Sequence, residues 1–354
     1  MNISVLFYLI LGLNIVYVAR KKKNKFLTYV SIGMAIYLSY ANKSSGDYNS
    51  YVNIYNNQLD YGEFGFGFLA DISRSIGFSY NVFQCILCTA SLIIILYVFS
   101  KFSDNYQLFF ALFFISEFFI NVNTIRNYVA RAFLVLAIYF LLNRKKIKFL
   151  ISLVFGSLFH VTMVLYLPLI FLDPLKKRDA KKLKNIGIVI GALCVLIFLG
   201  GNDFTWLYNI TSKLLPSMKE KLDAYFTTST RFGFLIYFVL HFGNLFINYK
   251  TKYHVQTVSD GNVKVDLAYK ASVLLNLYTV LFFPLLMMST SFCRSLNNIF
   301  FINVICYATI LDSYEFKSRK YLKILLVIIL VTLMSTFPFV HGAEQRDSIL
   351  SGLI

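Results

Sequence analysis

Long apolar runs separated by short basic or polar segments recur along the whole chain. One helix needs about 20 apolar residues to cross the hydrocarbon of a bilayer, and many of the runs are close to that length. The pattern predicts an all-α polytopic membrane protein with about ten transmembrane helices. The predicted spans are residues 2–19, 26–41, 81–100, 106–121, 124–142, 185–201, 231–249, 269–288, 295–312 and 321–340.

Composition supports this class. The 354 residues are 58% hydrophobic and only 14% charged, with a mean hydropathy of +0.64, whereas soluble domains are about 25% charged. No internal repeat and no separate soluble domain is visible. We therefore predict one integral membrane domain over residues 1–354, with external loops at 42–80 and 202–230 and a cytoplasmic loop at about 250–268.

The distribution of basic residues predicts the topology. The first cluster, Arg20 to Lys25, follows the first apolar run, so the positive-inside rule places the N-terminus outside and favours a retained span over a cleaved signal peptide. The net charge of +17 would suggest nucleic acid in a soluble protein. Here the basic residues lie in short loops between spans, so topology explains them and no nucleic-acid partner is expected.

Residues 149–172 form an apolar stretch with strongly basic flanks on both sides. A single crossing would place one of those flanks outside and break the positive-inside rule. The alternative is a broken or re-entrant element with His160 near its tip, and we favour it over the single crossing. Such a break is tolerated only where it is buried in protein or lines a water-filled cavity.

Several charged side chains would then lie on the outer side. Arg126 opens a predicted span, and a permanent cation at a membrane boundary is costly and often marks an anionic ligand. Arginine is also shaped to bind phosphate through two parallel hydrogen bonds. Arg131 is five residues further along the helix, points elsewhere, and is expected to be structural or lipid-facing. The full set is Asp47, Glu63, Arg74, Arg126, Arg131, Arg231 and Arg294, with His160 approaching from the re-entrant tip.

The first external loop is rich in Tyr and Asn side chains and in carboxylates. Ring faces and amide or acid groups suit sugars, which present apolar C–H faces and many hydroxyls. Tyr48, Tyr51 and Tyr55 are candidate glycan contacts. Their spacing also fits one face of a helix, so a packing stripe and an interfacial aromatic belt remain open alternatives.

Short motifs occur in a fixed order over about residues 1–310. They are Gly46-Asp47-Tyr48 with Tyr51 and Tyr55, Glu63 ahead of Gly65, Ile125-Arg126-Asn127 with Ala130, the basic turn 144–148, Phe159-His160, and Cys293-Arg294. Their order in one polytopic chain resembles the EpsG/Wzy-like family of bacterial polysaccharide polymerases. The family pattern often has Gln where this chain has Asn127, and an acidic residue where it has Cys293.

The resemblance implies a GT-C-like enzyme of the bacterial cytoplasmic membrane that joins undecaprenyl-diphosphate-linked oligosaccharide repeat units at the outer side. The expected product is a capsule, an exopolysaccharide or an O-antigen. A flippase and a chain-length regulator are expected partners beside the lipid bilayer. No cofactor is expected. One-step inversion at the anomeric carbon is expected if no covalent intermediate forms. No metal-binding cluster of Asp and Glu is evident in the sequence, so metal-independent transfer is expected.

The resemblance also suggests roles for individual residues. Arg126 and then Arg294 would hold the diphosphate, whose developing negative charge fixed guanidinium groups can stabilise. Asp47, Glu63 or His160 would be the catalytic base for the acceptor hydroxyl. The expected glycan-binding residues are Tyr48, Tyr51, Tyr55 and Asn127.

Three other functions remain to be weighed. A flippase or transporter of the same lipid-linked glycans would favour internal repeats and discontinuous helices in both halves, whereas the sequence shows one candidate break and no repeat. A membrane glycosyltransferase that adds single sugars from a lipid carrier would share the external Asp and Arg chemistry. An acyltransferase is suggested only by the lone His160 in an apolar segment.

Overall fold

A computed structural model describes residues 3–20, 22–43, 47–59, 62–173, 176–201, 204–214, 223, 234–259, 263–289, 292–313 and 349–350. Helices and short connections account for this part of the chain, and no strand occurs in it. Two of the helices are of the 3-10 type, Val161–Phe171 and Val280–Phe282. The α-helices are α1 (Ile3–Ala19), α2 (Lys25–Ala41), α3 (Tyr48–Asn56), α4 (Phe64–Ser75), α5 (Tyr80–Phe99), α6 (Tyr106–Ser116), α7 (Phe118–Asn123), α8 (Ile125–Leu142), α9 (Lys146–Phe159), α10 (Lys177–Leu199), α11 (Thr205–Leu214), α12 (Phe234–Ser259), α13 (Val263–Thr279), α14 (Phe283–Met288), α15 (Cys293–Asn297) and α16 (Phe300–Ser313).

Five helical segments in the described part of the chain are long and apolar enough to cross a membrane. The all-α membrane class predicted from the sequence is therefore confirmed. The predicted span 321–340 and most of the external loop 202–230 lie outside the described residues. The five segments are Tyr80–Phe102, Ile125–Leu142, Lys177–Leu199, Val263–Met288 and Cys293–Asp312.

The predicted span 106–121 is not one uninterrupted helix. It consists of α6 and α7, which meet at Glu117. Backbone hydrogen bonds from Glu117 N to Phe113 O (3.0 Å) and from Asn121 N to Glu117 O (2.9 Å) keep the two segments nearly continuous. The interruption falls at the one acidic residue of this apolar stretch, and its side chain points into the protein, where it is buried.

The break expected within 149–172 is observed at His160, whose extended backbone (φ −157°, ψ 120°) separates α9 from the 3-10 helix Val161–Phe171. By their rises per residue, the two arms are about 21 Å and about 22 Å long. If they continued in one direction, their outer ends would be about 43 Å apart. Instead Arg144 Nη2 lies 4.0 Å from Asp173 Oδ2. Residues 146–173 therefore fold back on themselves, and we call this segment the α9 hairpin.

Close packing at Gly156 holds the α9 hairpin against α8. A Cβ atom at Gly156 would lie 3.4 Å from the Ala130 carbonyl oxygen, 3.3 Å from Phe133 Cβ and 3.2 Å from Met163 Cγ. The absent side chain lets α8 and both arms of the hairpin approach one another. Because α8 and α9 are antiparallel neighbours, the tip at His160 lies near the start of α8.

Gly65 brings the start of α4 onto the hairpin near its tip. A Cβ atom at this position would lie 2.8 Å from Leu158 Cβ and 3.0 Å from the Leu158 carbonyl oxygen. The backbone of Leu158 is part of α9 and has little room to yield. Gly65 is thus required for the close contact that places the neighbouring residue Glu63 beside α8.

Replacing Gly65 by alanine is expected to destabilise the protein by about 1–3 kcal/mol, as overpacking of a well-packed site usually does. The measurement is thermal unfolding of the purified full-length protein in detergent. Gly33→Ala is the matched control, because a Cβ atom at Gly33 in α2 would meet nothing within 4 Å. The two variants unfolding at the same temperature would contradict the assigned contact.

Candidate functional site

The guanidinium group of Arg126, in the first turn of α8, is held by two side chains from the segment 42–80. Arg126 Nη1 donates to Glu63 Oε2 and forms an ion pair with it, and Arg126 Nε donates to Tyr51 Oη at 3.1 Å. The guanidinium carbon also lies 5.3 Å from the Tyr51 ring centroid, within the range of a cation–π contact. The Arg126 and Glu63 side chains are 29% and 18% exposed, so the pair is partly desolvated yet reachable from solvent.

Tyr51 connects this ion pair to Asp47. Burial raises the pKa of the Tyr51 phenol, and the charges of Asp47 and Glu63 act in the same direction, so the phenol stays neutral. Asp47 precedes α3, and its backbone N–H donates to Asn123 Oδ1 at 3.2 Å, which ties α3 to the end of α7. The Asp47 carboxylate is exposed and makes no capping bond to α3. The Tyr51 backbone N–H donates to the Asp47 carbonyl oxygen at 3.0 Å, so Asp47 lies one helical turn from the residue that orients Arg126.

His160 approaches the same region from the tip of the α9 hairpin, and its side chain is 9% exposed. Its Nδ1 atom accepts a hydrogen bond from the Thr162 backbone N–H at 3.3 Å and thereby caps the 3-10 helix. The same nitrogen lies 2.8 Å from Thr162 Oγ1. The guanidinium groups of Arg294, Arg126 and Arg131 all contribute to the electrostatic surroundings of the His160 ring. Arg294 itself is exposed on α15. Three guanidinium groups from two helices, α8 and α15, thus act on the histidine.

A second ion pair, between Arg131 and Glu117, lies inside the helix bundle with both side chains 1% exposed. Arg131 Nη1 donates to Glu117 Oε2 at 2.6 Å and to Asn121 Oδ1 at 3.0 Å, and Arg131 Nε donates to Asn298 Oδ1 at 3.2 Å. Asn298 Nδ2 in turn donates to Thr162 Oγ1 at 3.4 Å. A chain of polar contacts therefore leads from α6 and α7 through α8 to the tip of the α9 hairpin.

Asn127 belongs to this buried network and is 3% exposed. With its amide oriented to satisfy its neighbours, it donates to Asn298 Oδ1 at 3.1 Å and accepts from Arg131 Nη2 at 3.0 Å. The sequence suggested a glycan contact for this residue. The structure places its side chain inside the protein, because helical geometry directs position 127 away from the face that carries Arg126.

Glu117 was not predicted from the sequence, and the role of its partner Arg131 was predicted only in part. Arg131 is structural, as one alternative held, but the lipid-facing alternative is wrong because its side chain is enclosed. A single acidic residue within the apolar run 106–121 was the available signal. A charge in that position needs a partner inside the bundle, and Arg131 is the cation that the described structure provides.

The three tyrosines of α3 lie on one helix face, mostly turned into the protein. Tyr51 and Tyr55 are buried; Tyr55 Oη donates to the Phe78 carbonyl at 2.9 Å and also lies 2.9 Å from Ser73 Oγ, a hydroxyl that can donate to it. Tyr48 is half-buried and donates to Asn81 Oδ1 at 2.7 Å. The arrangement fits the packing-stripe alternative for Tyr51 and Tyr55, and it leaves only Tyr48 partly accessible to a ligand.

Arg74 makes a similar set of contacts one turn further along α3. Its guanidinium forms an ion pair with Asp71, donates to the Tyr55 carbonyl at 2.9 Å and lies 5.2 Å from the Tyr55 ring centroid. It therefore anchors α4 to α3. Arg231 lies outside the described residues. Among those that are described, no group of three or more His, Cys, Asp or Glu side chains could hold a metal ion.

Comparison with known proteins identifies a family. Residues 24–348 match the EpsG family, which is well over half of the chain. No curated protein and no solved structure matches the chain. The resemblance inferred from the order of the motifs is confirmed.

Proposed function

The chain belongs to the EpsG family, and on that premise we propose that it polymerises lipid-linked oligosaccharide repeat units into a surface polysaccharide. The donor is a growing glycan on undecaprenyl diphosphate, and the acceptor is a hydroxyl of the next lipid-linked unit. The reaction takes place at the outer side of the bacterial cytoplasmic membrane. The family suggests this class of membrane protein. The group formed by Arg126, Glu63 and Tyr51, which we call the Arg126 cluster, supports the more specific proposal of polymerisation.

The observation that supports this proposal is a partly exposed arginine, Arg126, that is paired with the carboxylate of Glu63. Arg126 is oriented by Tyr51 and neutralised by Glu63. A lipid diphosphate can take the place of Glu63, since phosphate oxygens accept the same paired hydrogen bonds from a guanidinium group. Tyr51 would hold the guanidinium in position during that exchange.

Transfer requires a base and a stabilised leaving group. The acceptor hydroxyl loses its proton to the carboxylate of Asp47 as its oxygen bonds to the anomeric carbon. The bond from that carbon to the diphosphate oxygen breaks, and the electron pair leaves with the diphosphate, where Arg126 stabilises the added charge. One displacement inverts the anomeric configuration. Arginine supplies the charge stabilisation, so the proposed transfer needs no metal ion.

We assign the base to Asp47 rather than to Glu63 or His160. Glu63 pairs with Arg126 until the diphosphate displaces it, so its proposed role is in donor binding. His160 uses Nδ1 to cap the 3-10 helix, and both its burial and the charges of the three guanidinium groups disfavour its taking up a proton. Arg294 is exposed, its charge acts on His160, and it would be a second contact for the diphosphate.

The proposed topology has about ten spans in a GT-C-like arrangement, with α3 and α4 above the bundle on the outer side and the N-terminus outside. The α9 hairpin would open towards the cytoplasm, where the basic segments 143–148 and 176–184 are found, and its tip would reach the outer site. The proximity of Arg144 to Asp173 supports this orientation, because both ends of the hairpin lie on one side. A flippase would deliver the repeat units, and a chain-length regulator would limit the product.

Complementation of a strain that lacks its surface-glycan polymerase tests the function. Wild-type protein is expected to restore long chains, and Arg126→Ala is expected to leave glycans one repeat long. Arg74→Ala is the matched control, since Arg74 also pairs with a carboxylate and stacks on a tyrosine of α3. It is expected to retain long chains at equal protein abundance.

The same assay separates the alternatives. Repeat units that remain on the cytoplasmic side without the protein, and reach the outer side with it, would overturn the proposal in favour of a flippase. A product extended by one sugar at a time would overturn it in favour of a single-sugar glycosyltransferase. If Arg126→Ala supported long chains, the site assignment would be wrong even though family membership stands.

A further inference from the structure

A large cleft separates α10 from α12 and α13, away from the Arg126 cluster. It encloses about 1340 Å³, which exceeds the 300–1,000 Å³ typical of small-molecule pockets. α10 is the least buried of the five segments that could span a membrane, so the cleft is open along one side. Its size and its exposure to the bilayer suit a ligand with long apolar chains.

The face of α10 that lines the cleft changes character along the helix axis. The lining positions recur every three or four residues, first as lysines and then as small or apolar residues. One row of them is Lys177, Lys181, Lys184, Ile188, Gly191, Val195 and Phe198, and Ala180, Gly187 and Cys194 line the cleft beside this row. One end of this stripe is therefore cationic, and the remainder is apolar.

The opposite wall of the cleft, formed by α12 and α13, is also cationic at one end and apolar along the remainder. Along α12 the lining side chains run from Phe238 and Phe242 to Lys252, and along α13 they run from Lys270 to Leu277. α12 and α13 are antiparallel neighbours, so both lysines lie at one end of the cleft. Basic groups from three helices converge there.

Part of this positive charge has no carboxylate partner among the described residues. Lys270 pairs with Asp266 at 2.6 Å, and Lys176 lies 3.9 Å from Asp173. For Lys177, Lys181, Lys184 and Lys252, no carboxylate oxygen of the described residues comes within 4 Å of the ammonium group. An anionic group at this end would meet several cations at once.

The dimensions match one leaflet of a membrane. The apolar stripe from Ile188 to Phe198 is about 15 Å long at 1.5 Å per residue, half of the roughly 30 Å hydrocarbon core. The lysine end lies on the same side as Arg144 and Asp173, which the positive-inside rule assigns to the cytoplasm. The proposed donor would have its diphosphate at Arg126, in the first turn of α8, whereas the lysine end of the cleft lies on the side of Arg144, which follows the last turn of α8. The cations of this cleft are therefore on the wrong side of the membrane for that donor.

We propose that the cleft binds an anionic phospholipid of the cytoplasmic leaflet, with its phosphate among Lys177, Lys181 and Lys184 and its acyl chains along α10 and α12. The bound lipid would fill the space between α10 and the rest of the bundle. This inference does not rest on the polymerase activity. It concerns a different part of the molecule and a different ligand.

Binding to the purified full-length protein can be measured by native mass spectrometry with phosphatidylglycerol and phosphatidylcholine. Wild-type protein is expected to bind phosphatidylglycerol preferentially. The variant Lys177→Gln/Lys181→Gln/Lys184→Gln is expected to bind it about 100-fold more weakly, since each lysine near an anionic lipid contributes roughly a factor of five. The control Lys145→Gln/Lys146→Gln/Lys182→Gln removes equal charge from the same side outside the cleft, and its affinity is expected to change less than about twofold.

A second pair of variants tests the apolar part without altering charge. A Cβ atom at Gly191 would meet nothing within 4 Å, so Gly191→Phe can fill the cleft and displace an acyl chain. Gly33→Phe is the control, because Gly33 is equally unhindered but lies in α2. Gly191→Phe is expected to weaken phosphatidylglycerol binding about tenfold, as loss of one or two buried methylene contacts would, and Gly33→Phe is expected to leave it unchanged.

Four results would overturn the proposal. The first is equal binding of phosphatidylglycerol and phosphatidylcholine by the wild type, which would exclude charge recognition. The second is equal affinity for phosphatidylglycerol in the lysine variant and its control. The third is wild-type protein that binds neither lipid, as expected if a further segment of this chain occupies the cleft. Recovery of a polyprenyl phosphate in place of phospholipid from the wild type would also contradict the assignment.

Discussion

Replacing Arg131 with methionine is expected to lower the unfolding temperature of the purified protein by roughly 10 °C. The substitution leaves the Glu117 carboxylate buried without its cation, and breaking a buried ion pair by removing one partner costs about 3–5 kcal/mol. Asn121 and Asn298 would each lose a donor as well. The measurement is a thermal melt of the full-length protein in detergent, with expression compared at equal induction.

Arg178→Met is the matched control because it removes an arginine whose side chain is 74% exposed and lies 3.7 Å from Asp179. The Arg178 guanidinium is largely solvated and the buried Asp179 carboxylate keeps the Asp173 backbone N–H as a donor, so the melting temperature is expected to stay close to that of the wild type. The double variant Glu117→Leu/Arg131→Met removes both charges and is expected to recover much of the loss. A double variant as unstable as the sum of the two single variants would show that the pair itself is not what matters.

The chain's class could be predicted from sequence because apolar length is a local property. The runs that became α5, α8 and α10 are visible without any tertiary information. The break at His160 was also accessible, because basic flanks on both sides of one apolar stretch constrain topology. Each of these inferences needs only the order of residues along the chain.

The pairing of charges could not be predicted in the same way. Glu117 and Arg131 belong to different helices, and the sequence shows only that each charge would be costly inside a membrane. Arg126 and Asn127 are adjacent in the sequence, yet one faces Glu63 and the other lies in the buried network. Which face of α8 meets the loop and which meets the bundle is decided by packing at Gly156 and Gly65, far from either residue in sequence.

Asp47→Asn is expected to reduce the rate of polymerisation by about 10²–10⁴-fold while leaving donor binding nearly unchanged. The amide keeps the shape of the carboxylate but cannot take the proton of the acceptor hydroxyl, and general base catalysis contributes a factor of that size. Arg126 and Glu63, which the proposal assigns to diphosphate binding, remain in place. The rate and the apparent affinity for the donor can be measured with reconstituted protein and synthetic lipid-diphosphate repeat units.

The control for this experiment is Asp71→Asn, which alters a carboxylate that is 70% exposed and belongs to the Arg74 anchor of the same loop. It is expected to retain the wild-type rate.

Glu63→Gln is expected to change donor affinity more than rate, because Glu63 competes with the diphosphate for Arg126 and is displaced from it when the donor binds. His160→Gln retains a group that can cap the 3-10 helix, so its loss of rate is expected to be small. A greater loss of rate in His160→Gln than in Asp47→Asn would reassign the base to the histidine, because the residue that takes the proton should be the one whose removal slows the chemical step most.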